Sequence, residues 1–175
     1  GSQGASGINQ TLIKAMPSLQ GLPLQVIHLS GDRDARLLED NYRRENIPAF
    51  VAAFHHQMEE VYSAADFAIA RSGAASLAEL ATFGLPALLV PYLYAADDHQ
   101  TRNAEIFVKA RAALLLKESE LTGELLAQKI RELLNDIPTL RAMSDNASAL
   151  APKNAATMVV ETMEKYRLPN DAVAA

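Results

Sequence analysis

Cysteine is absent from this chain, which excludes a disulfide framework and any thiolate-held metal, and is compatible with a reducing compartment. Its four histidines, His28, His55, His56 and His99, show no H-E-x-x-H spacing or comparable ligand pattern, so no metal centre is expected. Basic charge is also in short supply, with 16 Lys and Arg against 21 Asp and Glu and a net charge of −5. A nucleic-acid partner is therefore not expected, because there is no basic stripe to follow a phosphate backbone. No apolar run approaches the ~20 residues that cross a bilayer, and no basic segment followed by an apolar one opens the chain. By itself the chain is expected to be soluble.

What is present suits one globular domain: 175 residues, 49% apolar and 21% charged. Helical periodicity over 7–20 weakens at Pro17 and gives way to the strand candidate LQVIHL, 24–29. The spacing then predicts a helix over 34–46 with Leu37, Leu38 and Tyr42 turned inward, and a strand over 49–54. A helix over 57–64, a strand over 66–70, a helix over 74–83 closed by Gly84 and a strand over 86–90 continue the alternation. A helix over 100–110, a short strand over 112–116 and helices over 122–135, 138–149 and 154–166 complete it. Met143, Met158 and Met163 are expected to be core or helix-packing residues. Strands separated by helices predict right-handed crossovers and an α/β domain over 1–166, with a Rossmann-like, doubly wound, mostly parallel sheet and helices on both faces. Residues 167–175 are expected to be a frayed tail. Such a domain ordinarily opens with a strand feeding its first glycine-rich loop, whereas this chain opens at the loop, so its first strand is expected to be lacking.

In an open parallel sheet, ligands gather beyond the carboxyl ends of the strands, where helix N-termini and free amides converge. Four stretches fall there. The string GSQGA, residues 1–5, lets backbone approach a phosphate, with Ser2 adding a hydroxyl; the same letters open many linkers. Arg71-Ser72-Gly73-Ala74 follows the strand DFAIA, and Ser72 suits either a plain N-cap or a helix N-terminus offered to a diphosphate. Glu79 lies seven residues beyond Ser72, about 10 Å along one helical face, where its carboxylate would accept both hydroxyls of a ribose diol. The competing role is a Ser76-x-x-Glu79 capping box in a helix that starts later. YLYAADDHQTRN, 92–103, offers Asp97, Asp98, His99 and Gln100 to sugar hydroxyls or, equally, to solvent. His55-His56 follows the strand AFVAAF and would cover a base, supply backbone only, or remain exposed, while His28 is read as a packed strand histidine. Nothing identifies a nucleophile or general acid, so no catalytic residue is assigned.

Together, GSQGASGINQ, FHHQMEEVYSAADFAIARSGAASLAELATFGLPALLVPY and ADDHQTRNA resemble the C-terminal half of the MurG family of cell-wall glycosyltransferases, over nearly the whole chain to about residue 166. The resemblance implies one half of a GT-B fold, in which two Rossmann-like domains face a cleft, and an inverting transfer of N-acetylglucosamine from UDP-N-acetylglucosamine to lipid I, giving lipid II for peptidoglycan. Carried over by match, Ser2 and the GSQGA amides, Gln3 and Gly4 among them, would face the diphosphate, as would Ser72 and Gly73, and Arg71 would be among the donor-binding residues. Glu79 would hold the ribose, Phe54, His55 and Met58 would line the uracil site, and His99 and Gln100 would contact the sugar. His55 stands where the family can carry an aliphatic residue, and His99 where it can carry a second glutamine. No cofactor is implied. The acceptor half, with its catalytic base and membrane-facing apolar patch, has no counterpart here, so lipid I binding and attachment to the cytoplasmic face of the inner membrane would belong to that half. This chain alone is expected to transfer nothing. Other roles for such a half are in another UDP-sugar enzyme of the same architecture, such as a UDP-N-acetylglucosamine epimerase or a different glycosyltransferase, or as a non-catalytic partner subunit.

Overall fold

The computed structural model describes residues 5–92, 98–151 and 153–166. Helices α1 (Ser6–Ala15), α2 (Ala35–Arg44), α3 (Met58–Ala64), α4 (Ala74–Thr82) and α5 (His99–Lys109) alternate with strands β1 (Val26–Leu29), β2 (Ala49–Ala52), β3 (Ala68–Ala70), β4 (Ala87–Leu89) and β5 (Ala113–Leu115). Three further helices follow, α6 (Gly123–Asn135), α7 (Ile137–Ala149) and α8 (Ala155–Lys165), and short 3₁₀ turns cover Met16–Ser18 and Glu118–Glu120.

Local chemistry accounts for the boundaries. Pro17 tightens the end of α1 into the first 3₁₀ turn. Asn46, Gly84 and Arg111 take positive φ just beyond α2, α4 and α5, the left-handed step that stops a helix, and only Gly84 takes it without Cβ strain. Side chains start α6 and α7: Thr122 accepts from the Leu125 amide at 3.1 Å and Asp136 from the Thr139 amide at 3.0 Å.

All strand pairs are parallel, but they form two ladders, β1–β2 and β3–β4–β5. Among the described residues no ladder joins β1 to β3. The order is that of a doubly wound sheet whose central position is not filled by a described strand. One core nevertheless spans both ladders. Leu88 and Val90 on β4 and just beyond it join Ile8 and Leu12 of α1, Leu38 and Tyr42 of α2, and Leu126 and Ile130 of α6, with Val26 and Ile69 packed against them. The alternate residues Ala87 and Leu89 turn to the opposite face, against Leu77 and Leu80 of α4, Phe107 of α5 and Ala147 of α7. Helices thus cover both faces, which is why PALLV reads as an unbroken apolar run rather than an alternating one.

Two sequence expectations fail here. Leu37 is exposed, because the inward stripe of α2 consists of Leu38, Asn41 and Tyr42. Met158 and Met163 are 61% and 68% exposed, and α8 has no buried residue, so of the three methionines only Met143 is in a core. The periodicity of α8 marks an apolar face without specifying what it meets.

Candidate functional site

Within the β3–β4–β5 ladder the strands are parallel, so the loops after them emerge at one edge, and the loops after β1 and β2 likewise lie together. Arg71, just past β3, ties three of them together. Its Nη1 donates to the carbonyls of Val90 and Pro91, both at 3.1 Å, and its Nη2 pairs with Glu118 at 2.5 Å. The guanidinium also lies over the Tyr92 ring, 5.3 Å from its centroid. Both partners of the ion pair are only about a fifth exposed, so Arg71 spends its donors inside the protein. Gly7, in the first turn of α1, lies against this pair: a Cβ there would collide with the Glu118 carboxylate and come within 3.3 Å of Arg71 Nη2. That close approach brings the start of α1 to the ends of β3 and β5.

The β3 loop leads directly into α4. Gly73, not Ser72, is the N-cap, with φ −65° and ψ 145° and no side-chain cap bond. The expectation of a Ser72 cap is corrected by the position of its hydroxyl: Ser72 is wholly buried and donates to the Gln100 carbonyl at 2.7 Å. Asn103 Nδ2 donates back to the Ser72 carbonyl at 3.2 Å, and the Tyr92 amide donates to Gln100 Oε1 at 3.0 Å. These bonds dock the first turn of α5 onto the β3 and β4 loops. Among the described residues the space beyond Gly73 is open, since a Cβ built there meets none of them within 4 Å. Neither α1 nor α4 receives a side-chain cap, unlike α6 and α7. Uncapped helix N-termini of this kind are where an anion can bind.

Glu79 is exposed on α4, and its Oε2 accepts from the Tyr62 hydroxyl of α3 at 2.7 Å. The helix begins at Ala74, which places Ser76 within it and removes the Ser76–Glu79 capping box. Tyr62 is half-buried, and its phenol is pushed well above the ordinary range, first by burial and then by the Glu79 carboxylate. Its ring packs against Phe83 with centroids 5.4 Å apart.

The loop after β2 carries Phe54 and His55. Phe54 is exposed and packs edge-on against His56, while His55 lies edge-on to Phe50 with Nε2 3.3 Å from Glu60 Oε2. Met58, half-buried, opens α3. Through Tyr62, α3 connects this loop to Glu79. His99 is exposed at the start of α5. The expectations for Ser2, Gln3, Gly4 and Asp97 lie outside the described residues. Among those described, no cluster of three or more histidines and carboxylates could hold a metal ion, and no helix is long and apolar enough to cross a membrane.

His28 is a packed strand histidine, as its sequence context suggests. Asn9 Nδ2 donates to the Ser30 carbonyl at 3.0 Å and to Asp34 Oδ2 at 2.7 Å, which leaves Asn9 Oδ1 to accept from His28 Nε2 at 3.0 Å. Nδ1 then accepts from the Tyr42 hydroxyl at 2.9 Å. The network fixes α1, behind the candidate site, to β1 and α2. Sequence reading missed Tyr62, Glu118 and Asn103, whose partners are 17, 47 and 31 residues away. A tyrosine and a carboxylate at opposite ends of two crossovers leave no local pattern to find.

Comparison with known proteins agrees with this architecture. The sequence model for the glycosyltransferase family 28 C-terminal domain matches residues 1–160. Proteins named UDP-N-acetylglucosamine--N-acetylmuramyl-(pentapeptide) pyrophosphoryl-undecaprenol N-acetylglucosamine transferase are similar to it: one from Geobacter sp. (strain M21) is 39% identical over 93% of this chain and 44% of its own length. Another, from Trichormus variabilis, is 44% identical over 94% of this chain and 46% of its own length. The crystal structure of Acinetobacter baumannii MurG superposes with a TM-score of 0.84 at 34% identity, over 94% of this chain and 50% of that one. The glycosyltransferase VinC, at 18% identity and a TM-score of 0.64, shares the fold. This chain spans about half the length of the curated relatives it matches. With the family model matched over residues 1–160, the chain belongs to glycosyltransferase family 28, and what it carries is the C-terminal domain of that family.

Proposed function

We propose that this chain is the donor-binding half of an inverting N-acetylglucosaminyltransferase that uses UDP-N-acetylglucosamine and, with an acceptor half, converts lipid I to lipid II at the cytoplasmic face of the bacterial inner membrane. The observation that carries the proposal is the arrangement along α4: an N-terminus at Gly73 with no side-chain cap and no described residue within 4 Å of a Cβ built there, and the Glu79 carboxylate six residues further along the same helix. Diphosphate at the amides of Gly73 and of the α1 first turn, with the GSQGA residues Ser2, Gln3 and Gly4 beside them, would leave the ribose diol within reach of Glu79. The uracil would then lie toward Phe54, His55 and Met58, and the sugar toward His99 and Gln100.

In this reading Arg71 and Ser72 act by holding the loops, since their polar groups are already bound within the fold. As an acceptor hydroxyl attacks the anomeric carbon and UDP leaves, charge grows on the diphosphate. Pre-oriented amides and helix N-termini stabilise that charge without reorganising, which is electrostatic catalysis of the leaving group. Donor binding resides in this half and deprotonation of the acceptor in the other, so the chain alone binds donor and transfers nothing.

Calorimetric titration with UDP and UDP-N-acetylglucosamine tests the proposal. Saturable binding of both is expected, and Glu79→Gln should weaken UDP about ten-fold, the scale of a hydrogen bond to a charged group. For 2′-deoxy-UDP, which lacks the full diol, the loss should be smaller. Absence of any saturable response at millimolar ligand would reject the reading.

A further inference from the structure

Glu79 carries the carboxylate proposed above for the ribose, yet it is a long, exposed side chain. Free in solvent, such a side chain samples many rotamers, and ordering it on binding draws on the affinity. Among the described residues one donor reaches it, the Tyr62 hydroxyl on Oε2. Since a carboxylate only accepts, the phenol is the donor. The donor is itself held: Tyr62 is half-buried, packs against the α4–α5 side of the core, and stacks on Phe83 at the end of the helix that bears Glu79. One face of α4 therefore presents the carboxylate, and its last turn braces the residue that aims it.

The stereochemistry leaves room for a ligand. Two carboxylate oxygens offer about four acceptor positions, of which Tyr62 takes one. Oε1 and the second lone pair of Oε2 remain for the two hydroxyls of a vicinal diol. Tyr62 also sits one helical turn beyond Met58 on α3, so the segment proposed to line the base is mechanically joined to the group proposed to hold the ribose.

We propose that Tyr62 is a positioning residue that pre-orients the Glu79 carboxylate for the ribose diol, so that the preference for ribonucleotide over 2′-deoxyribonucleotide depends on the Tyr62–Glu79 hydrogen bond. The inference rests on the donor-site reading given above. Tyr62 acts through Glu79 and touches no reacting atom.

The test is calorimetry of this chain with UDP and 2′-deoxy-UDP in four forms: unaltered, Tyr62→Phe, Glu79→Gln and the double variant. Tyr62→Phe keeps the ring against Phe83, so the melting temperature should be essentially unchanged. It should weaken UDP about five-fold, as expected for loss of one hydrogen bond to a carboxylate that remains partly solvated, and leave 2′-deoxy-UDP nearly unaffected. In the double variant Tyr62→Phe should add no further loss, because its effect passes through Glu79. Equal weakening of both nucleotides by Tyr62→Phe, or a full additional loss on top of Glu79→Gln, would overturn the inference while leaving the donor site standing. If the unaltered chain binds neither nucleotide, the donor-site reading fails and the role of Tyr62 fails with it.

Discussion

Acidification from pH 7 to pH 4 is expected to remove about 3 kcal/mol of folding stability through His28 alone. Burial lowers the pKa of this imidazole from its ordinary 6.5 to about 4, against a smaller opposing pull from Asp34. Above pH 6.5 the ring is neutral in both folded and unfolded chains, and the stability is fully present. Between 6.5 and 4 the unfolded chain takes up a proton that the folded chain refuses, so stability falls as pH falls. Geometry gives the same sign: Nδ1 accepts from Tyr42, and a protonated ring would have no acceptor to offer there. Urea denaturation across this range should show the fall, and the His28 ring resonances in the folded chain should titrate with a midpoint near 4. A midpoint near 6.5 would mean the ring is solvated and the Asn9–His28–Tyr42 network is not formed.

Leu88→Ala is expected to destabilise the chain by about 2–5 kcal/mol, the range for truncating a fully buried leucine and leaving a cavity. Leu88 is at the centre of β4, wholly buried, with β3 on one side and β5 on the other. It fills the face that packs on Leu38, Leu126 and Ile130, and nothing there can collapse without moving a helix. Leu37→Ala, at a position 47% exposed, is the matched control and should cost under ~0.5 kcal/mol. Urea unfolding measures both. Because β4 leads directly into the Val90 and Pro91 carbonyls that hold Arg71, the Leu88 variant should also loosen the loops of the candidate site. Similar losses at Leu37 and Leu88 would contradict the assignment of inward faces on α2 and β4.

The strands and helices are readable in the sequence because each rests on short-range physics. Apolar runs such as PALLV, the 3.6-residue spacing of Leu126, Ile130 and Leu133, and breakers such as Pro17 and Gly84 act within a few positions. Which strands pair is less readable, since pairing joins segments far apart in sequence. The site divides the same way. Gly73 and Glu79 stand out because they sit on one helix following a strand. Ser72 misleads, because the letters of a cap also suit a buried hydroxyl seeking a carbonyl, and Gln100 supplies that carbonyl from 28 residues away. Arg71 next to a proposed diphosphate site looks like an anion ligand until its partner Glu118 is placed beside it. Tyr62 and Glu118 carry no signal of their own, because their roles exist only in the contacts they make.

The central claim is that loops from separate strands of this half-length chain form a single donor site. Amide chemical-shift mapping during titration with UDP-N-acetylglucosamine tests it most directly. The account predicts that Phe54, Met58, Gly73, Glu79 and Gln100 shift together along one binding curve, while α6 and α7 stay still. Shifts that follow different curves, or that fall on α6 and α7 and bypass Gly73 and Glu79, would contradict it.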